Sequence, residues 1–108
     1  MSVQNIEKNE FESRVLASAQ PVVVDFWAPW CGYCRRLAPA LDQVAQDLEG
    51  KALVAKLDID QLPQVADRYQ VETIPALILF RDGQAVSQVV NPESRARILE
   101  WLAENGVQ

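Results

Sequence analysis

Cys31 and Cys34 are the only cysteines of the chain, and both lie in the run Trp27-Ala-Pro-Trp-Cys-Gly-Tyr-Cys-Arg-Arg36. Two thiols at this spacing can hold a metal, staple the backbone or exchange electrons. Zinc needs three or four protein ligands, most often cysteine and histidine. The chain has no histidine and no carboxylate at a recognisable ligand spacing, so no metal site is expected, and a haem attachment motif is excluded. A staple between these positions would close a very small loop and remove little unfolded-chain entropy. It is also not needed, because 108 residues of 49% hydrophobic composition can bury a core of their own. Redox exchange remains, and in a reducing compartment paired thiols are kept for chemistry more often than for structure.

The net charge of −5, from 15 acidic and 10 basic side chains, provides no footprint for nucleic acid. Residues 1–10 contain no apolar leader segment, and the run Ala76 to Phe80 is far too short to span a bilayer. The chain is therefore read as a soluble, cytoplasmic protein with no membrane partner. Neither a repeat nor a Gly/Ser/Pro linker divides it, so residues 1–108 are read as one domain, expected as a monomer.

The elements that must position the cysteines follow from periodicity. Val3 to Glu7 reads as an edge strand, and Asn9 with Glu12 as a capping box opening a helix to about Ala19. Pro21 to Trp27 is a continuous run of β-branched and aromatic residues, the pattern of a strand covered on both faces. From Cys34, apolar residues recur at helical spacing through Leu48, with Pro39 expected to kink the helix and Gly50 to stop it. A strand over Ala52 to Ile59 and a short helix over Asp60 to Tyr69 come next. The Asp82-Gly83 pair between two apolar runs predicts a β-hairpin of Ala76 to Phe80 with Ala85 to Val90. Ser94 caps a last helix. The order β-α-β-α-β-α-β-β-α implies an α/β sandwich, parallel at first and ending in an antiparallel hairpin.

On this layout Cys31 sits at the start of the second helix. The unpartnered N–H groups and positive dipole there favour a thiolate and lower the thiol pKa. Cys34 lies on the same helical face, close enough for a disulfide. One thiol attacking and a second resolving is the arrangement that thiol–disulfide exchange requires. Asp25 is anomalous inside Val22-Val-Val-Asp-Phe-Trp27: on a buried strand it would be a raised-pKa carboxyl able to take a proton from Cys34, and on an exposed face a solvated aspartate. Lys56 interrupts its strand in the same way, and taken alone reads as a solvated lysine at an edge.

The run Val24 to Cys34, together with Val54-Ala-Lys-Leu-Asp-Ile-Asp60 and Thr73-Ile-Pro-Ala-Leu77, resembles the thioredoxin family over nearly the whole chain. The resemblance implies the thioredoxin fold, a central mixed sheet of about five strands flanked by about four helices. It implies that Cys31 is the nucleophile and Cys34 the resolving cysteine, and that Asp25 and Lys56 are the buried carboxylate and its lysine partner. No cofactor beyond the Cys31–Cys34 disulfide is implied. Trp30, Gly32 and Tyr33 would form substrate-facing surface, with Pro75 a cis-proline opposite the disulfide and Ile74 pairing with an extended target segment. Asn91 matches the position of a groove glycine.

Tyr33 and Asn91-Pro92 depart from the family pattern, which has proline before the second cysteine and glycine in the groove. These departures bear on which targets and which reductase, an atypical one included, the protein recognises. Tyr33 also adds an N–H that proline lacks, expected to reach the Cys31 sulfur and raise the reduction potential. The function expected is reduction of disulfides in target proteins through a mixed disulfide, with recharging by a reductase. The alternatives are a disulfide oxidase or isomerase, disfavoured by the missing leader segment, and a non-catalytic binding subunit, disfavoured by retention of both cysteines and Asp25.

Overall fold

In a computed structural model, which describes residues 3–108, five strands form one sheet. In chain order the elements are β1 (Gln4–Asn5), a π-helical segment (Glu12–Leu16), β2 (Val22–Trp27), α1 (Gly32–Asp47), β3 (Leu53–Asp58), α2 (Pro63–Arg68), β4 (Ala76–Arg81), β5 (Gln84–Val90) and α3 (Arg95–Glu104). The sheet order is β1-β3-β2-β4-β5. β1, β3 and β2 run parallel, and β4 and β5 join antiparallel. This is the mixed sheet with four helical segments that the chain's periodicity implies.

β2 is the central strand, and its period of two sorts the core into two layers. Val22, Val24 and Phe26 point to one side, where Ala55, Leu57, Ile78 and Phe80 meet the π-helical segment through Phe11 and Val15 and α2 through Val65 and Ala66. Phe11, Tyr69 and Phe80 pack there as tilted and edge-on rings, 5.1 to 5.8 Å apart. Val23 points to the opposite side, against Leu37, Leu41 and Val44 of α1 and Ile98, Trp101 and Leu102 of α3. Asp25 shares the parity of Val23 and therefore faces α1. Arg95 of α3 holds Asp47 at the end of α1 with two hydrogen bonds of 2.8 and 2.6 Å.

Two local expectations are corrected. Asn9 does not cap a helix; it adopts a left-handed backbone with φ 71°. The carboxylate that satisfies an N–H there is Glu10, accepting from Glu7 N at 2.8 Å, and the helix is confined to Glu12–Leu16 rather than running to Ala19. As expected, α1 begins at Gly32, directly after Cys31, and Pro39 lies inside it. Among the described residues, no helix is long and apolar enough to cross a membrane, and no group of histidine, cysteine or carboxylate side chains is arranged to hold a metal ion.

The β4–β5 turn places Asp82 and Gly83 at φ 54° and 77°, the paired positive values that a twisted two-residue hairpin requires. A Cβ at Gly83 would lie 3.3 Å from the Leu16 carbonyl oxygen, in a backbone conformation that L side chains avoid. Gly83→Ala is expected to lower stability by about 1–2 kcal/mol, read as an earlier urea midpoint with unchanged slope.

Candidate active site

Cys31 is the N-cap of α1, with φ −88° and ψ 110°. Its Sγ accepts a hydrogen bond from Cys34 N at 3.1 Å, the bond that a serine or aspartate oxygen makes at other helix starts. Cys31 N donates to Ala28 O at 3.1 Å and Arg35 N donates to Cys31 O at 3.2 Å, so the backbone is held on both sides. The Arg35 side chain donates to Pro29 O at 2.8 Å and ties the first turn to the loop before it. Cys31 and Cys34 are joined as a disulfide, with Cα atoms 5.2 Å apart, and both are largely buried. The donor that reaches Cys31 Sγ is thus Cys34 N–H at the third helical position, not Tyr33 N–H. The extra stabilisation expected from Tyr33 is not made in this oxidised form, because a proline at position 33 would leave the same bond in place.

The two sulfurs face different surroundings. Cys31 Sγ lies 4.0 Å from the Ile74 carbonyl oxygen, and the Ile74–Pro75 peptide bond is cis. Pro75 O accepts from Asn91 N at 2.7 Å, which joins the segment beside the sulfur to the end of β5. Asn91 has φ 48°. That explains the departure at this position: where the family carries glycine, the backbone is left-handed, and asparagine tolerates this region better than other side chains. Trp30 and Tyr33 flank the pair as its exposed surface, at 65% and 58% relative exposure. Gly32 is exposed too, and a Cβ there would meet only Arg35 Nη2, at 4.0 Å.

Cys34 instead lines a cavity of about 240 Å³ with Asp25, Trp27, Lys56, Ala38 and Leu41 among its walls. Asp25 is 4% exposed, and its Oδ1 has no hydrogen-bond partner among the described residues. Burial raises its pKa from 3.8 to about 7, and the Lys56 charge offsets part of that rise. Asp25 and Lys56 are directly paired across β2 and β3, so both side chains lie on the same sheet face. Lys56 is half-buried, with its Nζ 4.7 Å from the centroid of the Trp27 ring. It is not the edge lysine that its sequence context suggests, because β3 is covered on its outer side by β1. Trp27 Nε1 is a second buried polar atom without a partner among the described residues. The cavity carries polar groups on a largely apolar wall and is roomy enough to admit water.

Two contributors were not singled out from sequence. Asp60 accepts from Trp30 Nε1 at 3.0 Å and orients the exposed indole; an acidic residue just past a strand end carries no signal of that. Arg36 stacks on Tyr33, 4.7 Å from the ring centroid.

The sequence that builds this site matches known proteins over most of its length. The thioredoxin family model matches residues 2–104. The chain belongs to the thioredoxin family. It is 43% identical over 100 residues to thioredoxin 1 of Nostoc sp., covering 93% of this chain and 94% of that one. Against the thioredoxin of Staphylococcus aureus it is 43% identical over 102 residues, 94% and 96% of the two chains. Its fold is the thioredoxin fold, and its activity is that of the family, dithiol/disulfide oxidoreduction.

The titration of Asp25 has a consequence for stability. Its folded pKa of about 7 exceeds the value of 3.8 that applies when it is exposed, so between these limits the folded protein binds the extra proton. Stability must then fall as pH rises through this window, by on the order of 4 kcal/mol at most. Chemical denaturation of the oxidised protein between pH 4 and 8 is expected to show that decline, and Asp25→Asn to flatten it and leave the protein more stable at pH 8.

Proposed function

We propose that this protein reduces disulfides in other proteins, with Cys31 as nucleophile, Cys34 as resolving thiol and Asp25 as the proton acceptor for Cys34. The observation that carries this assignment is the division of surroundings: Cys31 at the helix N-cap beside Ile74 O, Cys34 on the cavity it shares with Asp25. In the dithiol form, Cys31 thiolate attacks one sulfur of the target disulfide, and the other target sulfur leaves and takes a proton. Asp25 carboxylate, directly or through water, then accepts the Cys34 proton. Cys34 thiolate attacks Cys31 Sγ, which forms the internal disulfide and releases the second target thiol. Two electrons pass to the target, and a reductase must return them to this disulfide.

Lys56 acts on this scheme through Asp25, by lowering the cost of its charged form. Ile74 offers its backbone to an extended target segment, a form of strand addition, with Trp30, Gly32, Tyr33, Pro75 and Asn91 as the surrounding contact surface. The reading includes a monomer working in the cytoplasm without metal or further cofactor, and a reductase that accommodates Tyr33 and Asn91.

Cys31→Ser is expected to abolish insulin-disulfide reduction, while Cys34→Ser accumulates a covalent mixed disulfide with its target. Trapping by Cys31→Ser instead, or normal turnover by Cys34→Ser, would reverse the roles. In stopped-flow single turnover, Asp25→Asn should slow resolution of the mixed disulfide by up to about 10²-fold and leave its formation nearly unaffected. Equal slowing of both steps would remove Asp25 from the role of base. Equilibration of the Cys31/Cys34 couple against glutathione should find it more reducing than that pool; a more oxidising couple would mark an oxidase instead.

A further inference from the structure

The first turns of α1 and the segment after β5 enclose a groove of about 310 Å³. Its walls are Tyr33, Arg36 and Leu37 on one side and Asn91, Pro92 and Glu93 on the other. The nearby arginines are committed: Arg35 to Pro29 O, Arg95 to Asp47 and Arg97 to Glu100. Arg36 is not. Among the described residues its side chain makes no hydrogen bond or ion pair, and its one partner is the Tyr33 ring beneath it. Stacking fixes the plane of a guanidinium while leaving its donors free, so little conformational freedom remains to be lost when a carboxylate arrives. Glu93, on the opposite wall, likewise makes no ion pair or hydrogen bond among the described residues, with Arg36 or with any other group.

We propose that this groove selects target polypeptides by charge, taking an acidic side chain of the target on Arg36 and a basic one on Glu93. The proposal rests on the reading that disulfide-bearing protein segments are the substrates, and it names which of them this chain prefers. The groove is coupled to the reacting sulfur, since its Asn91 wall is bonded to Pro75 O, next to the Ile74 carbonyl that lies 4.0 Å from Cys31 Sγ. Arg36 stands five positions beyond Cys31 along α1, a rise of about 7.5 Å. An extended target chain advances about 3.3 Å per residue, so the charges that matter lie two or three residues from the attacked cysteine. The net charge of −5 supplies no long-range attraction for an acidic segment. Selection for one must therefore be local, which is what an unpaired, pre-oriented guanidinium provides.

The test uses the reduced full-length protein and a set of disulfide peptides alike except at the second and third positions from the cysteine. These positions carry Glu and Lys in either order, or Gln at both. Oxidation of the protein is followed in single turnover at low salt. Wild type is expected to favour one Glu/Lys order over the reverse by roughly three-fold, the scale of exposed ion pairs, and to lose the preference in 1 M salt. The charge-swapped double variant Arg36→Glu with Glu93→Arg should invert the preferred order, an outcome that misfolding cannot imitate. Equal rates for both orders in wild type, or an order preference unchanged by the swap, would overturn the proposal while leaving disulfide reduction standing. Failure of every peptide to oxidise the protein, the Gln-flanked one included, would overturn the substrate reading and this proposal with it.

Discussion

β2 is covered on both faces, so every side chain it carries must be apolar or bear the cost of desolvation, and Asp25 is the ionisable one that bears it. The strand runs down the middle of the sheet between β3 and β4. Its alternation sends Val22, Val24 and Phe26 to the α2 side and leaves Asp25, with Val23, beneath α1. A carboxyl in that position has no hydrogen-bond partner for Oδ1 among the described residues, and burial pushes its pKa up to about 7. The shift is a result of packing, since burial is its largest cause and the nearest opposite charge, Lys56, acts against it. The same packing that makes Asp25 costly brings it to the cavity wall it shares with Cys34.

α1 links this interior to the surface. Its apolar stripe, Leu37, Leu41 and Val44, is seated on the sheet, so its N-terminus projects at the end of β2, where the chain turns through Ala28-Pro29-Trp30. The N-cap role passes to a sulfur because Cys31 occupies the last non-helical position. One disulfide thereby meets two environments. Cys34 looks inward to a group that exchanges protons at neutral pH, and Cys31 looks outward to the cis-proline segment and to exposed aromatic rings. Thiol exchange needs both, a proton acceptor shielded from bulk water and a sulfur that a macromolecule can approach.

The outward surface is held by contacts both local and distant in sequence. Asp60 steadies Trp30, Asn91 N–H anchors Pro75 O, and Arg36 lies on Tyr33. None of these contacts is within the sheet ladder, yet each fixes a residue that borders the disulfide. Asn91 shows how a substitution is accommodated here: the backbone keeps its left-handed turn, and the side chain that replaces hydrogen adds bulk to the groove wall.

Sequence alone determined the features that depend on local pattern. The continuous β-branched run of β2, the helical spacing from Cys34 to Leu48, the Asp82-Gly83 hairpin and the Ser94 cap each encode an element through its own residues, and in that order they imply the α/β architecture. The spacing of Cys31 and Cys34, with no histidine in the chain, likewise sufficed to direct attention to redox chemistry. At residues 9–12 the pattern misleads, because Asn9 and Glu12 fit a capping box whose geometry Asn9's left-handed backbone forbids, and the carboxylate that accepts a backbone N–H there is Glu10, from Glu7. Tertiary structure decided what depends on neighbours from elsewhere in the chain. Whether Asp25 is buried follows from the cover provided by α1. Lys56 is half-buried because β1 pairs outside β3, and Cys31 receives its hydrogen bond from Cys34 because the helix begins at Gly32. Burial, electrostatic shift and cavity are properties of packed surfaces, and a residue's own sequence context holds no record of the surface that will close over it.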